Sequence, residues 1–340
     1  IGGEVAKSFD VGLNQNYEKV DPNDNNYTYI PIVGTDDIHG NFFPKINILK
    51  FGERSITYKT GGLEFVTRYI NILREEFGSN RVLYFDGGDF YQGGIASVLF
   101  DGEIMLDYFN LVGLNGSTMG NHEFDFSRDW IEAKIAKANF KVLVNNIMDN
   151  STFEKNGALG DNQETSHLYT INLDNGDTIQ IGVIGISFNM KNDKQMPNTL
   201  GNRGTWDNIT FFNYIDELEQ ESNKFRENGA SAVIALTHFG LVCDQTSAMK
   251  LDMYNISSIQ GECFREDEDS VLYKLLDVLK PGVLDGIIGG DTHMEMHHWV
   301  NNIPMISVPT HGRYLNIMYF PFQKGYDGKY YLVPDEVKIE

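Results

Sequence analysis

Acidic, amide and histidine side chains gather where short apolar runs end. Asp37 and His39 stand two residues apart in Thr35-Asp36-Asp37-Ile38-His39-Gly40, a spacing that lets both reach one cation. Asp89 closes Asp86-Gly87-Gly88-Asp89, ahead of Phe90-Tyr91-Gln92-Gly93-Gly94. The glycines permit close approach of backbone to a ligand, and a carboxylate has two oxygens with which to bridge two metals. The most specific cluster is Gly120-Asn121-His122-Glu123-Phe124-Asp125. Asn121 offers an amide oxygen to a metal while His122 faces a substrate. Asp125, three residues on, can orient the imidazole or favour its charged form. His238 follows another apolar run, and Asp291 and His293 repeat the i, i+2 spacing. Each motif alone also has a plain reading: a turn aspartate, a structural histidine at a strand end, Asp125 as a helix N-cap. Of the eight histidines, His39, His122, His238 and His293 have the strand-end setting; His167, His297, His298 and His311 do not. His297 and His298 read as strand or surface residues.

The elements that must position these residues alternate. Strands are expected at Tyr29–Val33, Arg81–Phe85, 115–119, Lys141–Val144, 167–173, 178–186, Ala232–Leu236, Val283–Ile288, 303–308, 314–322 and 330–338. Helices are expected near 62–78, 103–112, 127–138, 209–227 and 269–279, where apolar residues recur with a period near 3.6. Segments 147–165 and 187–207 read as loops, and 241–266 as an insertion. Alternating strands and helices predict an α/β layered fold with strands packed between helices. In such sheets ligands bind beyond the carboxyl ends of the strands, so five distant clusters can converge on one edge. Residues 1–28, polar and without periodicity, read as an extended N-terminal arm, and 29–340 as one domain.

The chain has 340 residues, 41% of them hydrophobic, and a formal net charge of −21. Such acidity works against binding a nucleic-acid polymer, so any phosphate chemistry needs local positive charge. No apolar run is long enough to span a bilayer. The chain opens at Ile1, which is expected if a leader was removed or if residues precede it. Cys243 and Cys263 are expected either to form a disulfide closing a local loop or to remain reduced and buried. Sequons at Asn26, Asn115, Asn150, Asn208 and Asn255, with the cysteines, lean towards a secreted or vesicular glycoprotein.

The ordered set D-x-H-G, G-D-x-x-x-G, G-N-H-E-F-D, T-H and G-G-x-T-H resembles the calcineurin-like metallophosphoesterases over about residues 29–322. It looks nearest to their 5′-nucleotidase and UDP-sugar hydrolase branch, and within it to fungal and protist secreted or vacuolar members. Gly312-Arg313-Tyr314-Leu315 is similar to that branch too. The resemblance implies a four-layer α/β/β/α sandwich with a metal site at the C-terminal ends of the strands. It implies two divalent metal ions, drawn from Zn, Mn, Fe, Mg or Ca. One would take Asp37, His39, Asp89 and His293, the other Asp89, Asn121, His238 and Asp291, with Asp89 bridging. His122 would be the catalytic imidazole and Asp125 its partner. The implied reaction is hydrolysis of a small phosphate ester or anhydride by a hydroxide held between the metals.

Asp291 departs from the pattern, which usually has His there. An oxygen ligand favours a harder cation at that second site, and its added negative charge is expected to weaken the metal and raise the pH optimum. About 45 residues follow the last motif, too few for the separate nucleotide-clamping domain of that branch. Either a C-terminal domain or protein partner lies outside this chain, or its own loops recognise the substrate: Phe90–Gln92, 187–207 around Trp206, or the cysteine-bearing insertion. Aromatics there read first as packing residues. Two alternatives stay open: a phosphodiesterase of the same family, and a non-catalytic secreted or structural protein on the same scaffold.

Overall fold

The computed structural model describes residues 20–24, 26–51, 54–187, 206, 208–212, 215–242, 263–264 and 271–340. In chain order the elements are β1 (Thr28–Thr35), β2 (Lys45–Phe51), β3 (Arg54–Thr60), α1 (Leu63–Phe77), β4 (Leu83–Asp86), α2 (Ile95–Leu99), α3 (Glu103–Val112) and β5 (Gly116–Ser117). Then come α4 (Arg128–Lys137), β6 (Lys141–Leu143), β7 (Ile147–Asp149), β8 (Gln163–Glu164), β9 (Ser166–Asn172), β10 (Thr178–Ile186), β11 (Ile209–Phe211), α5 (Ile215–Glu227) and β12 (Ala232–Thr237). The chain finishes with α6 (Val271–Val278), β13 (Gly286–Ile288), β14 (Met296–Val300), β15 (Ile303–Ser307), β16 (Asn316–Lys324), β17 (Tyr330–Leu332) and β18 (Lys338–Ile339).

Two sheets carry the fold. The first runs β17-β16-β1-β4-β5-β6-β8, with β18 beside β16; the second runs β14-β15-β13-β12-β10-β9. Period-2 alternation gives the central strands two apolar faces. In β1, Ile30 and Ile32 face the second sheet with Leu83 and Phe85 of β4, where they meet Ile181, Val183, Ile234, Leu236, Ile288 and Ile306. Val33 and Tyr84 point the other way, into the layer covered by α1, α3 and α4. On the far side, Val233, Ala235, Ile287 and Met305 pack under α5 and α6. The result is the expected four-layer α/β/β/α sandwich. Strands buried on both faces need continuous apolar runs, which β12 supplies as Ala-Val-Ile-Ala-Leu, all fully buried. Each fully buried Ile or Leu contributes about 1.5–3 kcal/mol. Helix α1 is held by Leu63, Val66, Ile70, Leu73 and Phe77, one stripe at 3.6 periodicity.

Two expectations need correction. Residues 209–211 are not the start of a helix: Ile209-Thr210-Phe211 pairs antiparallel with β7, and the helix begins at Ile215. β-branched and aromatic residues favour that pairing. The polar segment 147–165 contains β7 and β8 as well as loop. Residues 45–60, whose sequence shows no clear strand or helix period, form a two-stranded hairpin in which Lys45 pairs with Thr60 and Phe51 with Arg54. Most of the N-terminal arm, the 187–207 segment apart from Ser187 and Trp206, and the Cys243–Cys263 pair lie outside the described residues, because Cys243 does.

Candidate metal centre

Parallel pairing sets the geometry. β1, β4 and β5 run parallel, as do β12 and β13, so their C-terminal ends open on one edge in each sheet. The loop after β1 then zips to the loop after β4. The N–H groups of Asp37, His39 and Gly40 donate to the carbonyls of Gly88, Asp89 and Phe90 at 3.0, 2.8 and 2.9 Å. The i, i+2 pairs are not aligned by strand alternation. Asp37, His39, Asp89, Asp291, His293 and His311 all hold positive φ, between 49° and 75°. Left-handed backbone is costly for such residues, so its concentration here marks loops bent to aim side chains.

The side chains converge. His39 Nε2 lies 3.1 Å from His293 Nε2 and 3.7 Å from Asp37 Oδ1, and His293 Nε2 lies 3.4 Å from that same oxygen. His238 Nε2 is 3.1 Å from both Asp89 Oδ2 and Asn121 Oδ1. Asp37, His39 and His293 form one compact donor group, and Asp37, Asp89 and His238 a second. His39 Nε2 is 3.9 Å from Asp89 Oδ2, so Asp89 reaches towards both. A tetrahedral shell with metal–nitrogen bonds of about 2.0–2.1 Å has edges of about 3.3 Å, close to these separations.

Second partners turn the imidazoles inward. His238 Nδ1–H donates to the Gly87 carbonyl at 2.8 Å, and His39 Nδ1–H to Gln92 Oε1 at 3.2 Å, so each Nε2 is turned towards the cluster. Burial lowers the His39 pKa despite the pull of Asp89 and Asp37, which keeps its Nε2 lone pair free. Asp37 Oδ1 is buried with no hydrogen-bond donor among the described residues. Such an orphaned oxygen beside inward-facing nitrogens fits divalent cations. Glycine makes the approach possible: a Cβ on Gly120 would sit 2.1 Å from Asp89 Oδ1 and 2.6 Å from His238 Cε1.

Asp291 joins neither compact group. Its backbone N–H donates to Asp37 Oδ2 at 2.9 Å, while desolvation raises its carboxyl pKa in the field of His238, Asp37, Asp89 and His293. His122 stands beside the cluster, its ring 5.3 Å from that of His39. Its backbone N–H donates to Asp89 Oδ1 at 2.8 Å, and its Nδ1–H to Asp125 Oδ2 at 2.6 Å. Burial lowers the His122 pKa, but Asp89, Asp125 and Glu123 outweigh it and the net shift is upward. The helix after this turn is capped by Ser127, not Asp125.

Sequence reasoning missed the acids that hold the loops. Glu123, fully buried, takes the N–H groups of Asp89 and Gly120 on Oε2, both at 2.8 Å, and that of Phe90 on Oε1 at 3.0 Å. Asp36 accepts from Val308 N and Ser307 Oγ, joining the two sheets, and Asp86 accepts from Gly88 N and Thr35 Oγ1. Their only sequence signal is an acid next to a ligand motif. The rim aromatics are packing residues: Phe90, Tyr91 and Trp206 are buried, with Trp206 against Phe124 at 4.8 Å. Of the sequons, Asn26 and Asn208 are exposed, whereas the half-buried Asn115 and Asn150 use Oδ1 to accept from Tyr84 N and Thr210 Oγ1; Asn255 lies outside the described residues.

Residues 30–295 match the family model for calcineurin-like phosphoesterases. The 5′-nucleotidase of Bos taurus is 31% identical over 173 residues, covering 50% of this chain and 27% of that protein. Snake venom 5′-nucleotidase of Gloydius brevicauda is 29% identical over 173 residues, covering 51% and 27%. Among solved structures, a putative 5′-nucleotidase from Staphylococcus aureus superimposes with a TM-score of 0.65 at 19% identity, covering 92% of this chain and 54% of that one. The calcineurin-like phosphoesterase YfkN from Bacillus subtilis gives 0.64 at 19% identity, covering 92% and 90%. The matched region thus spans little more than a quarter of those two sequence relatives.

Proposed function

The chain belongs to the calcineurin-like phosphoesterase family, and from that premise we propose that it hydrolyses a small phosphate ester or anhydride, in the manner of a 5′-nucleotidase. Residues 29–340 would be the catalytic domain and 1–28 an arm. Asp37, His39, Asp89 and His293 would hold one divalent cation, and Asp89, Asn121, His238 and Asp291 the other, with Asp37 within reach of both groups. The cations would neutralise phosphoryl oxygens and supply a nucleophilic water.

The observation that carries the reading is the His122–Asp125 pair beside the donor cluster. With Nδ1–H committed to Asp125, His122 keeps Nε2 for a substrate, its ring 5.3 Å from that of His39. Its raised pKa favours the imidazolium, which can donate a proton to the leaving-group oxygen. The N–H bond to Asp89 ties that ring to the donor cluster, so proton donor and phosphorus keep a fixed relation.

Protein loaded with manganese or zinc should hydrolyse p-nitrophenyl phosphate or a nucleoside monophosphate. His122→Ala should lower kcat by about 10²–10⁴-fold with metal content unchanged. Full turnover in that variant would remove the role given to His122. Stoichiometric metal without turnover in the parent protein would instead favour the non-catalytic alternative. The exposed sequons at Asn26 and Asn208 support a secreted or vesicular setting, testable by a mass shift on deglycosylation.

A further inference from the structure

Beside the donor cluster lies a second group of residues that the proposed chemistry does not use. The loop Thr310–Arg313 is pinned onto the cluster from outside. His311 N–H and Thr310 Oγ1–H both donate to the Asp37 carbonyl at 2.8 Å. The His311 ring centre is 5.9 Å from that of His39. His311 holds φ 75°, an unfavourable conformation that fixes the ring there. Its Nδ1 is buried with no hydrogen-bond partner among the described residues.

The same loop meets the foot of the β2–β3 hairpin. Gly62 N–H donates to the Gly312 carbonyl at 3.1 Å, and a Cβ on Gly61 would touch Arg313 Cα at 2.9 Å and Cγ at 3.0 Å. Gly62 in turn abuts Pro44, next to Lys45, which pairs with Thr60. Lys45 and Arg313 are therefore brought together at one edge of the cluster, and both are exposed. Neither has an ion-pair or hydrogen-bond partner among the described residues, although the chain carries 48 acidic residues against 27 Lys and Arg. In so acidic a protein, two unpaired cations beside a phosphate-handling site are positioned to attract anionic substrate.

We propose that Lys45, His311 and Arg313 form a second anion subsite, which takes the distal phosphoryl group of a substrate carrying two linked phosphates. This rests on the phosphoesterase reading and extends it: one phosphoryl group is processed at the donor cluster while its neighbour is held by this trio. Arg313 and Lys45 each supply a positive charge and N–H donors to the phosphoryl oxygens, so charge rather than a fixed fork geometry sets the selectivity. His311 adds an imidazole held against the cluster by its loop's bonds to Asp37, with Nδ1 left without a hydrogen-bond partner among the described residues.

The test is calorimetric titration of manganese-loaded protein with inorganic pyrophosphate and with inorganic phosphate, beside kinetics on a nucleoside diphosphate and monophosphate. Arg313→Gln and Lys45→Gln should each lower the pyrophosphate-to-phosphate affinity ratio about tenfold, the loss expected for one charge-assisted contact. The KM ratio of the two nucleotides should move in parallel. Arg313→Lys, which keeps charge and stem, should retain most of the selectivity. Lys50→Gln, at the hairpin's far end opposite Ser55, should leave the ratio unchanged. A ratio unmoved by Arg313→Gln and Lys45→Gln, or lost equally in Arg313→Lys, would overturn the subsite while the phosphoesterase reading stood. Parent protein that binds neither anion and hydrolyses neither nucleotide would overturn both.

Discussion

Glu123 Oε2 accepts the backbone N–H of Asp89 at 2.8 Å while Oε1 binds the next residue's N–H, so one buried carboxylate sets the loop that aims Asp89. Glu123→Gln replaces one of the two accepting oxygens with an –NH2 that only donates, facing N–H groups. The variant should lose about 1–3 kcal/mol of stability and bind metal about 10–100-fold more weakly. Denaturant melts and metal titration would measure these, and unchanged metal affinity would reduce Glu123 to a packing residue.

Asp125 is expected to show itself in the pH profile. Against burial, the charges of Asp89, Asp125 and Glu123 raise the His122 pKa. Asp125→Asn removes part of that support and lowers the pKa, so the protonated imidazole is lost sooner as pH rises. The alkaline limb of kcat/KM should therefore move to lower pH. A limb that stays in place would assign it to another group.

Asp291→His should tighten zinc relative to manganese at the second position and lower the pH optimum, because nitrogen replaces a charged oxygen. Since Asp291 lies outside both compact donor groups, this variant also tests whether its side chain is a ligand. Identical metal preference in both proteins would leave only its backbone contact with Asp37.

Away from the site, Asp149 is a stability switch. Hydrogen bonds from Ser151 and the Arg128 guanidinium hold its carboxyl well below the usual range. A depressed folded-state pKa contributes stability above the unfolded value of about 3.9, lost as pH falls below it. Asp149→Asn should cost about 1–3 kcal/mol at pH 7, with the gap to the parent narrowing in acid. A pH-independent difference would point to lost packing instead.

How far the sequence could be read varied with the kind of physics involved. Leu63–Phe77 and Ala232–Thr237 were plain because periodicity and continuous apolar runs report burial directly. The ligand loops were legible because their residue types are chemically unusual at strand ends. Four features were not. The hairpin at 45–60 has an exposed second strand, Arg54–Thr60, so it lacks the buried alternation that marks a strand. β11 depends on pairing with a strand some 60 residues earlier, a contact no local window holds. Glu123 carries no local signal, because its role lies in four backbone groups brought to it by tertiary structure. His311 lacked the strand-end setting and comes near His39 only through the loop's bond to Asp37.

The donor residues hang from both sheets: Asp37, Asp89 and Asn121 follow strands of the first, and His238, Asp291 and His293 strands of the second. A cation shared by His39 and His293 would cross-link positions 254 residues apart, closing nearly the whole matched region into a ring. Ligands that bind only the folded chain stabilise it by mass action, about 2.7 kcal/mol at a hundredfold excess over Kd. Metal would then work as a clasp as well as a reagent. Chelation should loosen the two halves of the molecule from one another, so loss of metal should appear in protease resistance as readily as in turnover.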